Sequence, residues 1–327
     1  MKKLNEQKII DILSDKIILP KNICGIGDDA AVLEQQDHCE VITKDLLIED
    51  QHFRLSYYTP AQLAKKALHV NLSDIAAMGA TARYVFLGLS IPINTKTNWL
   101  EAFLQSFKEE CQQANVYLLG GDTTLSPHGF MISLTVIGDA DKTHIKYRNG
   151  ASPSDAICLL DYAGDAHAGL LLLEHNMADF MPLKESALAP TALSEEGMWL
   201  GSQTAVTAML DTSDGIYIDL KRLCAASNVG AVLNVEQLPI SPLLPAAAQQ
   251  LSITPTDCAL IGGEDYGLLF TVKKEAVSNL QHAFQQDFAI PLTTIGTITE
   301  TKTVELRQNN MEYRLHSKPF SHFNEDV

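Results

Sequence analysis

With 327 residues, 46% of them hydrophobic and 20% charged, the chain is long enough for two domains and has the composition of a soluble globular protein. Forty acidic against 24 basic residues leave a formal charge of −16, which argues against nucleic acid and anionic membranes as partners. No run has the roughly 18 apolar residues of a membrane span, MKKLNEQKII lacks a signal-peptide core, and six scattered cysteines without a C-x-x-C pair fit buried thiols in a reduced, cytoplasmic setting.

In chain order, Leu4, Ile9, Ile12, Leu13 and Ile17 recur at helical spacing over residues 4–18. GIGDDAAVLE follows, in which Gly25, Gly27 and Ala30 match the dinucleotide fingerprint loosely. Asp28 and Asp29 would repel a bare pyrophosphate, so the stretch is either a polar turn with solvated carboxylates or one part of a metal site. EVITKDLLIE reads as a strand near 40–49 that carries Asp45. Thr59 and Pro60 open a helix through QLAKKALHVNLSDIAAM that stops at Gly79, with Asn71 and Asp74 on one face. YVFLGLSIP, VYLLG and FMISLTVIG read as strands, with a helix from near Trp99 between the first two. LLGGDTT reads as a strand ending in two glycines and Asp122.

NGASPSD, just after Arg148, marks a junction dividing the chain into 1–148 and 149–327. The second half restarts with strand AICLLDY, a GDAHAG turn and a leucine-rich helix, then a helix before Asp211. LDTSDG brackets Ser213 with Asp211 and Asp214 ahead of another helix, whose N-terminal N–H groups suit an anion. Strands AVLNV and YGLLFTV follow, with IGGEDYG before the second placing Glu264 and Asp265, and a hairpin turns near Asn309 and Asn310. Strands and helices alternate in both halves, which gives an α/β or α+β chain.

The acidic loops share one grammar: an apolar strand, then small residues, then one or two carboxylates. An oxygen-rich set without paired cysteines or H-E-x-x-H spacing selects a hard cation. Magnesium takes one or two carboxylates plus substrate phosphates, so five or six carboxylates on separate loops suggest several Mg2+ ions around a polyphosphate. The Walker A and protein-kinase signatures are absent.

GIGDDAA, ITKD…H, NLSDIAAMGA, LLGGDTT, YRNGASPSD, LDTSDG, GGEDYG and PFSHF, in this order over nearly the whole chain, resemble the thiamine-monophosphate kinase family. That family belongs to the superfamily that includes aminoimidazole ribonucleotide synthetase. The resemblance implies a two-domain fold of that synthetase type, a homodimer formed through the N-terminal domain, and ATP bound near the cleft between domains. It implies Mg-dependent transfer of the ATP γ-phosphate to thiamine monophosphate. Asp29, Thr43, Asp45, Asp74, Asp122, Asp211 and Asp214 are similar to the metal ligands of the family. Gly121, Asp122, Arg148 and Ser213 are similar to its ATP contacts, and His52, Glu264 and Phe320 to its thiamine contacts.

Three places depart from the family pattern. Lys44 replaces a small hydroxyl residue beside Asp45, Gly267 stands where GGEDYE is usual, and LAPTALSEEG lacks the arginines of the R-P-x-P-R segment. Two rival functions stay open: a superfamily relative with another small substrate, and a nucleotide-binding protein without catalysis.

Overall fold

The computed structural model describes residues 6–316, with side chains from residue 8 onward; Phe320 lies outside the described residues. The first half contains helix α1 (Glu6–Ser14), strands β1 (Ile23–Cys24), β2 (Ala31–Glu34) and β3 (Cys39–Ile48), and helix α2 (Pro60–Ala77). Strand β4 (Thr81–Pro92), helix α3 (Thr97–Gln113) and strands β5 (Tyr117–Ser126) and β6 (Met131–Ala140) complete it. These strands form a six-stranded sheet in the order β1-β2-β3-β6-β4-β5. Only the β4–β5 ladder is parallel, and α3 supplies the crossover that a parallel pair needs. On the covered face, Leu63, Leu68 and Ile75 of α2 pack with Phe103, Ile132 and Val136 in one core.

The sequence accounts for α2 at both ends. Thr59 and Gln62 form a capping box, and Pro60 stands where its missing N–H costs nothing. At the other end Gly79 has φ +71°, and a Cβ there would sit 2.6 Å from the His144 carbonyl oxygen. The helix therefore stops where predicted.

The second half runs through β7 (Ala156–Leu160), α4 (Asp165–Glu174), α5 (Met181–Leu188), α6 (Ser194–Ser202), β8 (Val206–Asp211) and α7 (Ile216–Ser227). It continues with β9 (Gly230–Asn234), α8 (Leu244–Leu251), α9 (Pro255–Ile261) and β10 (Leu268–Val272). Helix α10 (Val277–Asp287) and strands β11 (Leu292–Thr299), β12 (Val304–Gln308) and β13 (Met311–Glu312) close it. Its seven-stranded sheet has the order β13-β12-β9-β11-β7-β10-β8. Asn309 and Asn310, with φ of +51° and +63°, turn the β12–β13 hairpin as the sequence suggests.

Four local expectations change. Helix α1 (Glu6–Ser14) ends short of the expected residue 18, and Lys16 beyond it has φ +61°. β5 does not end at Asp122 but pairs with β4 as far as Ser126. GDAHAG is not a turn, because α4 begins at Asp165 behind Gly164 in the left-handed conformation. Asp211 ends a strand, β8, and the preceding helix α6 lies farther back.

Helix α2 is where the two halves meet. Leu188 and Ala192 from the second half join the first core, and the Ala192 N–H donates to His69 Nδ1 at 3.1 Å. This explains the arginine-free segment 188–197: its Pro190, Ala192 and Leu193 are buried against apolar neighbours. Among the described residues no helix is long and apolar enough to cross a membrane.

Candidate active site

A turn, a helix and a strand end bring three carboxylates together. Asp29 follows the glycine turn before β2, Asp74 projects from the last turn of α2, and Asp211 ends β8. Oxygen atoms of the three lie within 4.8 Å of one another. The Asp29 side chain is only 1% exposed and Asp211 is 3% exposed, so water screens their repulsion poorly. Burial followed by the charge of Asp211 pushes the Asp74 carboxyl well above the usual carboxylate range. Burial, then Asp29, pushes Asp211 up to about 7. Burial also raises Asp45, which faces the same side.

Neighbours fix the orientation of each group. Thr43 Oγ1 donates to Asp74 Oδ2 at 2.5 Å, and Ser73 Oγ donates to Asp211 Oδ2 at 2.7 Å. The Asp45 N–H donates to Asn71 Oδ1 at 3.2 Å, tying β3 to the polar face of α2. Arg148 forks onto Asp29, with Nη2 at 2.6 Å and Nε at 3.3 Å from its two oxygens. Asp28 accepts instead from the Arg148 backbone N–H, which makes it a brace for the turn. Asp214 pairs with Arg222, which also reaches Asp219 at 3.2 Å.

The cluster borders a cleft of about 380 Å³ between the two halves. Asp45, Asp74, Asp211, Ser213 and Asp214 line it, and so do His52 and Glu264. The wall around these last two carries Phe53, Tyr57 and Tyr58 together with Glu174. The Ile48 N–H donates to His52 Nδ1 at 3.0 Å, which leaves the ring proton of the neutral imidazole on Nε2. Asp265 does not face the cleft; it accepts from the Gly164 and Ala166 N–H groups at 2.7 and 3.0 Å and so holds the start of α4.

Two residues read from the sequence as site residues lie elsewhere in the single chain. Gly121 and Asp122 sit on β5, the edge strand, and Asp122 is exposed. Asp122 shares a row with Gly88, Ser133 and Leu46, on the sheet face opposite Asp45. Three strand spacings, about 14 Å, separate β5 from β3. Gly121 has a packing reason of its own, since a Cβ there would overlap the Leu87 carbonyl oxygen. Lys44 also points to the exposed face, where Nζ donates to Ser133 Oγ at 2.7 Å. Gly267 fits its place, because a Cβ would lie 2.6 Å from the Leu160 carbonyl oxygen.

Sequence reasoning missed Lys66, Ser73 and Tyr266. Lys66 and Ser73 are fully buried polar residues of α2, and Tyr266 lines the cleft with φ +52°. The signal for Lys66 was faint: it is one of two adjacent lysines in the run QLAKKAL, flanked by apolar residues.

The oxygen-only donor set, its burial and its crowded charge fit a hard divalent cation such as Mg2+. Without a cation, three carboxylates at this spacing oppose one another.

Comparison with known proteins gives a consistent picture. The N-terminal domain of AIR synthase related proteins matches residues 27–140, and the C-terminal domain of the same family matches 152–309. A thiamine-monophosphate kinase of Buchnera aphidicola subsp. Schizaphis graminum is 33% identical over 92% of this chain and 93% of its own. The Haemophilus influenzae thiamine-monophosphate kinase is 35% identical over 84% of this chain and 83% of its own. A solved complex of AaThiL with AMPPCP and TMP superposes with a TM-score of 0.84 at 29% identity, covering 99% of this chain and 98% of that one.

Proposed function

The chain belongs to the AIR synthase related proteins and, within them, to the thiamine-monophosphate kinase family, and on that premise we propose that it makes thiamine diphosphate and ADP from thiamine monophosphate and ATP. The observation that carries the reading is the convergence of Asp29, Asp74 and Asp211 beside a cleft shared by both halves.

The cleft has two chemically distinct ends. At one, Asp29, Asp45, Asp74 and Asp211 would hold Mg2+, with Thr43 and Asp214 beside them; bound there, the ions neutralise phosphate charge. Arg148 is a fixed cation at the edge of this cluster and suits an ATP phosphate, while Ser213 and its neighbours offer hydrogen bonds. At the other end, Glu264, Glu174 and the Tyr57 and Tyr58 rings suit a cationic heteroaromatic ring, with His52 Nε2–H as a donor. Phe320 belongs to the same proposal through the family motif.

Little acid–base chemistry is required of the protein. A phosphate monoester has its second pKa near about 6, so the acceptor arrives mostly ionised. The protein must bring two anions together and align them for in-line attack, which is positioning and electrostatics. The neutral-ring histidine His167 and the hydrogen-bonded His52 need not act as bases.

Incubation with ATP and thiamine monophosphate should give thiamine diphosphate and ADP, and none after EDTA treatment. Phosphorylation of free thiamine with the monophosphate ignored would overturn the reading. ADP release that requires no acceptor would favour a different superfamily reaction.

We also place the domain boundary at 148/149 and assign the protein a cytoplasmic location and a homodimeric state. The outer sheet face supports the dimer: Tyr117 is 64% exposed, and Tyr84, Phe86 and Leu46 share the surface. A second copy covering that face also covers Asp122, so any part of Gly121 and Asp122 in the ATP and metal site is played in the dimer. Sedimentation at micromolar concentration should give a dimer mass, and a strictly monomeric species would count against it.

A further inference from the structure

Lys66 lies behind the cleft wall, its side chain almost wholly buried. Its Nζ donates to Glu264 Oε1 at 2.7 Å and to the Tyr58 hydroxyl oxygen at 3.1 Å. The Tyr58 hydroxyl donates onward to the Ala187 carbonyl at 3.2 Å. A buried ammonium is costly unless it is paired and hydrogen-bonded. Here the pairing partner is a carboxylate that still meets the cleft: the Glu264 side chain is 31% exposed against 1% for Lys66. Burial opposes the Lys66 charge, but Glu264 and then Tyr58 more than offset it and raise its pKa.

The Glu264 backbone is held just as firmly. With φ +69° it occupies the left-handed region, and its N–H donates to the Ser213 carbonyl at 2.9 Å. Two residues on, the Tyr266 N–H donates to the Thr212 carbonyl at 3.0 Å. The loop is thus strapped to the strand end that carries Asp211, while its carboxylate is drawn to α2. At the other end of the cleft Ser73 of α2 holds Asp211 itself. Helix α2 therefore grips the C-terminal loops at two points seven residues apart, about 10 Å at 1.5 Å per residue.

We infer that Lys66 is a positioning residue for the phosphate acceptor: by fixing the Glu264 carboxylate along α2, it sets the distance between a cationic acceptor ring and the aspartate cluster where the phosphates meet. This rests on the function proposed above. Lys66 itself does not touch the reacting atoms. Its removal should loosen the acceptor and leave the nucleotide alone.

The test is steady-state kinetics of the full-length protein, wild type first. A wild type that does not phosphorylate thiamine monophosphate overturns the function before any variant is read. Given an active wild type, Lys66→Met should raise the KM for thiamine monophosphate by roughly tenfold or more and move the KM for MgATP by less than about twofold. Because Lys66 acts through Glu264, the Lys66→Met/Glu264→Gln double variant should be no worse than Glu264→Gln alone. A purely structural role predicts the opposite: both KM values rise together, or the two substitutions add. Either result overturns the inference. If Lys66→Met does not fold, Tyr58→Phe removes one of the two hydrogen bonds on Nζ and should raise the acceptor KM selectively by about two- to fivefold. No selective rise in that variant also overturns it.

Discussion

Asp74→Asn is expected to lower turnover by ~10²-fold or more, which corresponds to about 2.7 kcal/mol of lost transition-state stabilisation. Asparagine keeps the size of the side chain and can still accept from Thr43 Oγ1, so local packing should survive. What disappears is one negative charge from the middle of a cluster whose other members, Asp29 and Asp211, lie within 4.8 Å. A divalent cation held by carboxylates and substrate phosphates depends on that charge. The same change relieves repulsion in the metal-free protein, so its thermal midpoint should rise while activity falls. That opposite movement separates a site defect from a folding defect. Turnover close to wild type at limiting magnesium would contradict the assignment.

The second large effect concerns stability against pH. Asp211 has an ordinary carboxyl pKa of 3.8 when unfolded and about 7 when folded, chiefly because it is buried and next because Asp29 faces it. A group whose folded pKa is raised contributes stability that is complete below the unfolded pKa and is lost as pH rises through the folded one. Between about pH 4 and 7 the native state binds the extra proton, so the metal-free protein should weaken steadily across that window. For Asp211 alone the loss is about 4 kcal/mol. Asp74 shifts in the same direction, for burial and for the charge of Asp211. Magnesium competes with those protons and should restore stability, more at pH 8 than at pH 5. Thermal melts in EDTA and in excess magnesium at the two pH values check this. Overall charge repulsion also grows with pH, so Asp211→Asn serves as the control: its EDTA slope should be visibly flatter. An unchanged slope in that variant, or equal magnesium stabilisation at both pH values, would defeat the account.

Several features were legible in the sequence because their causes are local. The Thr59–Pro60 start and Gly79 stop of α2 follow from capping and backbone freedom within a few residues. The turn at Asn309 and Asn310 needs only two residues that tolerate positive φ. Each acidic loop declared itself through its own small residues and carboxylates, and its family resemblance rested on the same short motifs. The α/β alternation in both halves was visible for that reason too.

The tertiary structure decided what each acid does, because that depends on chain distant in sequence. Asp28 and Asp29 are neighbours, yet one braces the Arg148 backbone and the other enters the carboxylate cluster. Glu264 and Asp265 are also neighbours, but one meets Lys66 and the other holds the start of α4. Lys65 and Lys66 are indistinguishable on a helix that reads AKKALHV. Only the rotation of α2 against the second half buries Lys66, nearly 200 positions from its partner Glu264. β5 passes Asp122 because a parallel partner, reached through the α3 crossover, extends its ladder to Ser126. Which sheet face Asp122 shares, and with whom, follows from strand order and register. Local propensity cannot set either one, since both arise from pairing energies collected across more than 80 residues of chain.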